Sequence, residues 1–352
     1  MSSLARLRVQ NVRTHSDYTL DLSPGVTLIT GKNGTGKTSL LEALYISLQG
    51  TSFKTSDSDV LQYEKDWWRI DVLFADERKR TVKFDPSRAT GKKQFVVDDK
   101  TAYRLTPTHK YPVVLFEPDD LRLLHGSPSR RRQFIDRFIS QLDPVYGQIL
   151  RKYERALKQR NNLLKQPGVT SDDLFVWNMS LSEYGATIIE QRIRFIERIN
   201  AQLNETYNAI AHSNDTVGVH YSHTLVGSLQ QKLLNELHAS SQRDIYLGYT
   251  SVGPHRHDVL FTFNDNLALT VASRGEVRSM VLALKFIEVD IIRQLTDRKP
   301  LILLDDVFSE LDESRQAALM ENSKECQMVI ATTNNQAALS EAVLRVTLDG
   351  VE

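Results

Sequence analysis

Apolar positions alternate with polar ones through the first quarter of the chain, the period of strands half-buried on a core. Residues 4–9 alternate apolar and basic side chains like an edge strand, residues 18–22 read as its hairpin partner, and Pro24-Gly25 turns the chain. Residues 26–30 are β-branched and strand-like, whereas 39–46 have helical spacing. A meander of short strands follows at 67–74, 81–84 and 94–98, and 111–116 reads as a buried strand. The period then turns helical, with candidate helices at 132–141, 145–165, 174–178 running into 182–212, and 225–239, and with Pro167-Gly168 as a break. The longest of these, roughly 30 residues, would reach near 45 Å, a compact lobe and not a coiled-coil arm. Strands return at 246–250 and 259–263, a long amphipathic helix covers 276 to about 295, and strands at 301–304, 328–332 and 343–348 follow. The pattern predicts an α/β fold: a discontinuous domain, 1–118 with 246–352, interrupted by a mainly helical lobe at 119–245.

Composition narrows the class. The chain has 352 residues, 41% hydrophobic and 25% charged, enough for two globular domains with no compositional sign of disorder. Its apolar runs are strand-sized and residues 1–6 lack the apolar core of a signal peptide, so a cytoplasmic protein is expected. The single cysteine, Cys326, permits no internal disulfide and reads as a small buried side chain. Net charge is zero, yet residues 119–165 carry eleven Lys and Arg against five Asp and Glu, and 301–352 carry three against ten. Such asymmetry fits either solvated faces or one polyanion-binding face.

Gly31-Lys32-Asn33-Gly34-Thr35-Gly36-Lys37-Thr38 matches the P-loop pattern at every fixed position, between a strand and a helix as the motif requires. Its glycines let backbone N–H groups and the helix dipole face a phosphate. Gly31 through Thr38 and Ser39 are the expected ATP-binding residues, with Lys37 on the β- and γ-phosphates and Thr38 on Mg²⁺. Roughly 270 residues later, Leu301-Ile302-Leu303-Leu304-Asp305-Asp306 has the form of a Walker B strand. Asp305 would hold the metal and Asp306 polarise the attacking water, so Lys37, Asp305 and Asp306 are the candidate catalytic set. Both chain ends must then enter one sheet. Ser273-Arg274-Gly275-Glu276 opens the long helix and reads either as a capping box or as a second anion site made by Ser273, Arg274 and Gly275. If that helix end cannot meet the P-loop within one chain, two chains must face each other, with Ser309 and Asp312 of Ser309-Glu310-Leu311-Asp312 lining the seam.

In this order these motifs resemble the ABC-type ATPase head, especially its DNA-maintenance branch with the SMC proteins, and more narrowly the RecF family. The likeness extends to Arg6–Arg13, Phe116-Glu117-Pro118-Asp119-Asp120-Leu121, Gly126-Ser127-Pro128-Ser129-Arg130-Arg131-Arg132 and Gly253-Pro254-His255-Arg256. It implies an ATP-gated homodimer that clamps double-stranded or gapped DNA without sequence specificity, and a slow, Mg²⁺-dependent, DNA-stimulated ATPase. It further implies partnership with RecR and RecO in loading RecA, and a part in replication restart and the SOS response. Departures are Glu276, where the family has Gln, and His257, where it has an acidic residue. Asp306 stands where transporter ATPases have Glu, and the transporters' Q-loop glutamine and switch histidine are missing, with Thr333 in the switch position. A transporter subunit and a non-hydrolysing ATP-gated clamp remain the alternatives. For DNA, Ser127-Pro128 predicts a helix N-terminus that places Arg130, Arg131 and Arg132 in its first turn, either neutralised by Asp119, Asp120 or Asp136 or open to phosphodiester. Arg151, Lys152 and Arg155, with Lys158 and Arg160, add basic spacing on the next helix.

Overall fold

A computed structural model describes residues 3–223, 227–333 and 343–348. The chain divides into two units, residues 1–120 with 288–352, and 121–287. Residues 246–287, expected with the first unit, fall in the second.

The first unit is built on two sheets. Strands β1 (Leu4–Val12), β2 (His15–Asp21), β4 (Trp68–Phe74), β5 (Lys79–Phe84), β6 (Lys93–Val97) and β7 (Lys100–Ala102) form an antiparallel sheet in the order β2-β1-β4-β5-β6-β7. Residues 4–9 are therefore not an edge: β1 pairs with both β2 and β4, and β2 takes the rim. Strands β3 (Val26–Gly31), β8 (Val113–Phe116), β12 (Leu301–Asp305), β13 (Met328–Thr332) and β14 (Val343–Leu348) form a parallel sheet in the order β14-β3-β13-β12-β8. Both ends of the chain do meet in one sheet. Helix α1 (Lys37–Gln49) lies in the core the sheets share, with Leu40, Leu41, Ala43, Leu44, Ile46 and Leu48 all buried. It is apolar around nearly its whole circumference because it has no solvent face to keep. The Gln327 side chain donates to the Leu4 and Ser23 carbonyls at 2.7 and 2.8 Å and accepts from the Leu4 N–H at 2.8 Å, tying β1 to the base of the parallel sheet.

The second unit holds α2 (Pro128–Leu142), α3 (Pro144–Leu163), α4 (Phe175–Ala211), α5 (Leu229–Ala239), α6 (Ser241–Leu247), the short α7 (Ala268–Val271) and a three-stranded sheet of β9 (Val217–Tyr221), β10 (Val259–Phe263) and β11 (Asn266–Leu267). Helix α8 (Arg274–Thr296) begins here and ends in the first unit, where α9 (Glu313–Asn322) follows β12. Helix α4 runs 37 residues, after the break that Pro167-Gly168 predicts. Residues 246–250 are not a strand: α6 ends there on Gly248, whose φ of 72° is the left-handed stop that glycine adopts freely. Of the expected helix 225–239, residues 225–226 lie outside the described residues.

Candidate nucleotide site

The P-loop leaves β3 at Gly31 and enters α1 through Gly36. Gly31 passes so close to β14 that a Cβ there would lie 2.7 Å from the Leu348 carbonyl and 2.8 Å from Thr35 Oγ1. At Gly36, φ is 91°, and a Cβ would meet His15 Nε2 at 2.3 Å and Thr14 Oγ1 at 2.4 Å. The β1–β2 turn is thus pressed on the loop, and His15 Nε2 lies 3.1 Å from the Gly36 carbonyl oxygen. Burial holds the His15 pKa below the usual histidine range, so at neutral pH the ring is neutral and donates to that carbonyl through Nε2–H. Lys32, Asn33 and Gly34 are exposed, with open space around Gly34, as a loop that wraps a ligand with its backbone requires.

Buried Lys37 donates from Nζ to the Gly31 and Lys32 carbonyls at 2.9 and 3.0 Å, which folds its ammonium over the loop. Thr38 Oγ1 donates to Asp305 Oδ1 at 2.6 Å, across 267 residues of sequence. That contact brings the two expected metal residues together at the carboxyl end of the parallel sheet. Both supply hard oxygen, the set Mg²⁺ takes with phosphate and water, so the residues fit that ion. Asp306 follows with a φ of 54°. Its Oδ1 is buried and has no hydrogen-bond partner, while the Thr333 backbone N–H donates to the carboxylate. Burial raises its pKa, Asp305 adds to the rise, and Lys37, Lys54 and the Thr333 bond oppose it. A carboxylate so placed accepts a proton more readily than an ordinary one. Thr333, expected at the switch position, therefore touches Asp306 through its backbone.

Ser39 continues α1 half-buried. Two residues escaped the sequence reading. Lys54 Nζ lies 3.5 Å from Asp305 Oδ2, and Glu42, one turn after Thr38 on α1, is 1% exposed and accepts from Arg13, Ser52 and Thr55. A lone carboxylate on an otherwise apolar helix was the available signal.

At the start of α8, Ser273 N–H donates to Glu276 Oε2 at 2.6 Å and Ser273 Oγ accepts from the Glu276 N–H at 3.4 Å, so the capping box is formed. Ser273 and Arg274 are exposed and Gly275 is half-buried. Ser309 is exposed and donates to the Asp306 carbonyl at 2.9 Å. Asp312 is exposed, caps α9 by accepting from the Arg315 N–H at 2.9 Å and pairs with the Arg315 guanidinium.

Ser127 caps α2 with Pro128 in its first turn, as expected. The arginines that follow do not share a role. Arg131 is 8% exposed and spends its guanidinium on Asp258 at 2.7 and 2.9 Å and on the Leu124 and Gly126 carbonyls, so it is a buried structural residue and not a DNA contact. Arg132 donates to the His257 carbonyl at 2.6 Å, and both it and Arg130 are half-buried. Asp136 is engaged by Arg192 and Tyr146 and neutralises none of the three through a hydrogen bond. On α3, Arg151, Lys152 and Arg155 are exposed, with Lys152 over the Tyr184 ring at 5.7 Å. Arg160 is fully buried against Asp244, Asn178 and Thr250 and leaves the basic face. His257 is half-buried, hydrogen-bonds the Tyr221 hydroxyl across 3.0 Å and stacks on His223.

Comparison with known proteins places this geometry. An AAA domain family matches residues 6–237. A curated relative from Streptococcus agalactiae serotype V, the DNA replication and repair protein RecF, is 34% identical over 347 residues, covering 96% of this chain and 93% of its own. The solved structure of the recombination mediator protein RecF with ATP, in the RecFOR pathway, superimposes with a TM-score of 0.85 at 30% identity, covering 96% and 93% of the two chains. An SMC head bound to the C-terminal winged-helix domain of ScpA shares the fold, with a TM-score of 0.54 at 16% identity over 95% of this chain and 90% of that one. No helix among the described residues is long and apolar enough to cross a membrane. With a P-loop and Walker B carboxylates joined at one sheet end, and likeness along nearly its whole length, the chain belongs to the RecF family of DNA replication and repair proteins, built on an ABC-type ATPase head.

Proposed function

We propose that this chain is an ATP-dependent DNA-binding protein of recombinational repair. ATP binding closes a homodimer on double-stranded or gapped DNA and slow hydrolysis reopens it. The observation that carries the reading is the 2.6 Å bond between Thr38 and Asp305, which assembles a nucleotide site from the two ends of the chain. The P-loop amides and Lys37 bind and orient the phosphates, Thr38 and Asp305 would hold Mg²⁺, and Asp306 takes the proton of the attacking water. When bound, Mg²⁺ supplies charge neutralisation at the β- and γ-phosphates. Exposed Ser273 and Arg274, with half-buried Gly275, of a second copy cover the γ-phosphate, with Ser309 and Asp312 at the seam. For that, the Glu276 carboxylate that now occupies the Ser273 N–H must turn aside.

DNA contacts fall on Arg151, Lys152 and Arg155, with Arg130 and Arg132 beside them, and are made to phosphates. The relatives' names support a place in the RecFOR pathway, hence partnership with RecR and RecO in loading recombinase at single-strand gaps, in the cytoplasm, with consequences for replication restart and SOS induction. A mixing experiment tests the shared site. Lys37→Ala and Ser273→Arg chains are each inactive, and their mixture is expected to recover about a quarter of the wild-type ATPase rate, since half the dimers regain one complete site. No recovery on mixing overturns the composite site.

A further inference from the structure

We propose that Lys54 is a resident counter-cation of Asp305, which makes entry of a divalent metal conditional on the nucleotide that carries it. The inference rests on reading this site as one for MgATP. Asp305 is 4% exposed, and its two oxygens are both engaged, Oδ1 by the Thr38 hydroxyl at 2.6 Å and Oδ2 by the Lys54 ammonium at 3.5 Å. A buried carboxylate with a positive partner gives a bare divalent ion far less than a naked one does, and two cations cannot share so short a span without repulsion. A metal arriving with polyphosphate brings its own negative charge, so the ammonium can leave Asp305 and stay among anions, with Asp306 already within its field.

The segment that carries Lys54 is built to hold it there. Ser52 Oγ accepts from the Lys54 and Thr55 N–H groups at 2.9 and 3.0 Å and donates to Glu42 Oε1 at 2.5 Å. Thr55 Oγ1 reaches the same Glu42 oxygen at 3.4 Å and accepts from Arg13, which itself grips Glu42 at 3.1 and 3.2 Å. Phe53 packs edge-on against Tyr45 of α1 with centroids 5.3 Å apart. The strap is therefore anchored on the same helix face as Thr38, four residues from it, and its end is the ammonium beside Asp305.

The test is Mn²⁺ binding to the full chain without nucleotide, followed by electron paramagnetic resonance. Wild type is expected to bind weakly, Lys54→Met at least about fivefold more tightly, the effect of removing one competing charge under nearly water-like screening, and Lys54→Arg like wild type. Lys54 is 41% exposed in its side chain, and a thermal melt confirms that each variant is folded. Equal or weaker Mn²⁺ binding by folded Lys54→Met overturns the proposal. Fluorescent ATP titrated into wild type and Lys37→Ala in the same buffer isolates the underlying reading: if wild type fails to bind ATP, the site assignment falls whatever Lys54 does.

Discussion

Asp306→Asn separates what this residue costs the fold from what it gives the chemistry. The carboxylate is partly withdrawn from water, one oxygen is buried without a partner, and burial raises its pKa above the ordinary 3.8. Between 3.8 and that raised value the folded chain binds more protons than the unfolded one, so stability falls as pH rises through the window. At neutral pH the charge is a net cost. An amide of the same shape tolerates the left-handed backbone at 306 and keeps an oxygen for the Thr333 N–H. Removing the buried charge should stabilise by less than about 1 kcal/mol, because the amide nitrogen inherits the partnerless buried position, which raises Tm by no more than about 2 °C. Turnover should fall by roughly 10²–10⁴, the usual worth of a positioned general base, while ATP affinity stays near wild type because Lys37, Thr38 and Asp305 are untouched. Calorimetry and a steady-state phosphate-release assay read the two effects. Turnover within tenfold of wild type would refute the assignment of Asp306 as base, and a lower Tm would contradict the cost ascribed to its buried charge.

Three further outcomes follow from particular contacts. Glu276→Gln keeps an oxygen for the Ser273 N–H but removes the negative charge there, so stability should change by less than about 0.5 kcal/mol while ATP-dependent self-association tightens several-fold by light scattering. Replacing Arg151, Lys152 and Arg155 together by Ala should leave Tm unchanged and reduce the slope of log affinity for duplex DNA against log salt by up to about 3; Arg131→Ala should instead destabilise by about 3 kcal/mol by stranding Asp258, and an unaltered slope in the triple variant removes α3 from the DNA face. Burial lowers the His255 and His257 pKa values to about 4 and about 3 from 6.5. The unfolded chain therefore takes up these protons first, and stability present above pH 6.5 is lost as pH falls, on the order of 2 kcal/mol per histidine by pH 5. A His257→Gln variant should show a flatter pH–Tm profile, and an unchanged one contradicts this.

What could be read from the sequence was local. The P-loop and its flanks, the Walker B strand and the Ser127-Pro128 helix start all depend on residues a few places apart, and they stand where expected. What escaped depends on partners far along the chain. Arg131 and Arg160 looked like outward cations because Asp258 and Asp244, which bury them, lie 127 and 84 residues away. Strand β9 was missed because its register is set by β10, and Gly218 within it weakens the local signal. Residues 246–250 are aromatic and alternating enough to pass for a strand, yet Gly248 after Leu247 was a helix stop in plain view. At the site, the loop was legible and its supports were not: His15, Glu42 and Lys54 act through contacts that no motif spells out.

If the nucleotide closes two copies on DNA, light scattering of the full chain with ADP, with ATP, and with ATP plus duplex DNA reads that closure as a change of mass. The 40.1 kDa chain should show the monomer mass in ADP and twice that mass in ATP, with the dimer retained on DNA; a monomer under all three conditions rules the closure out.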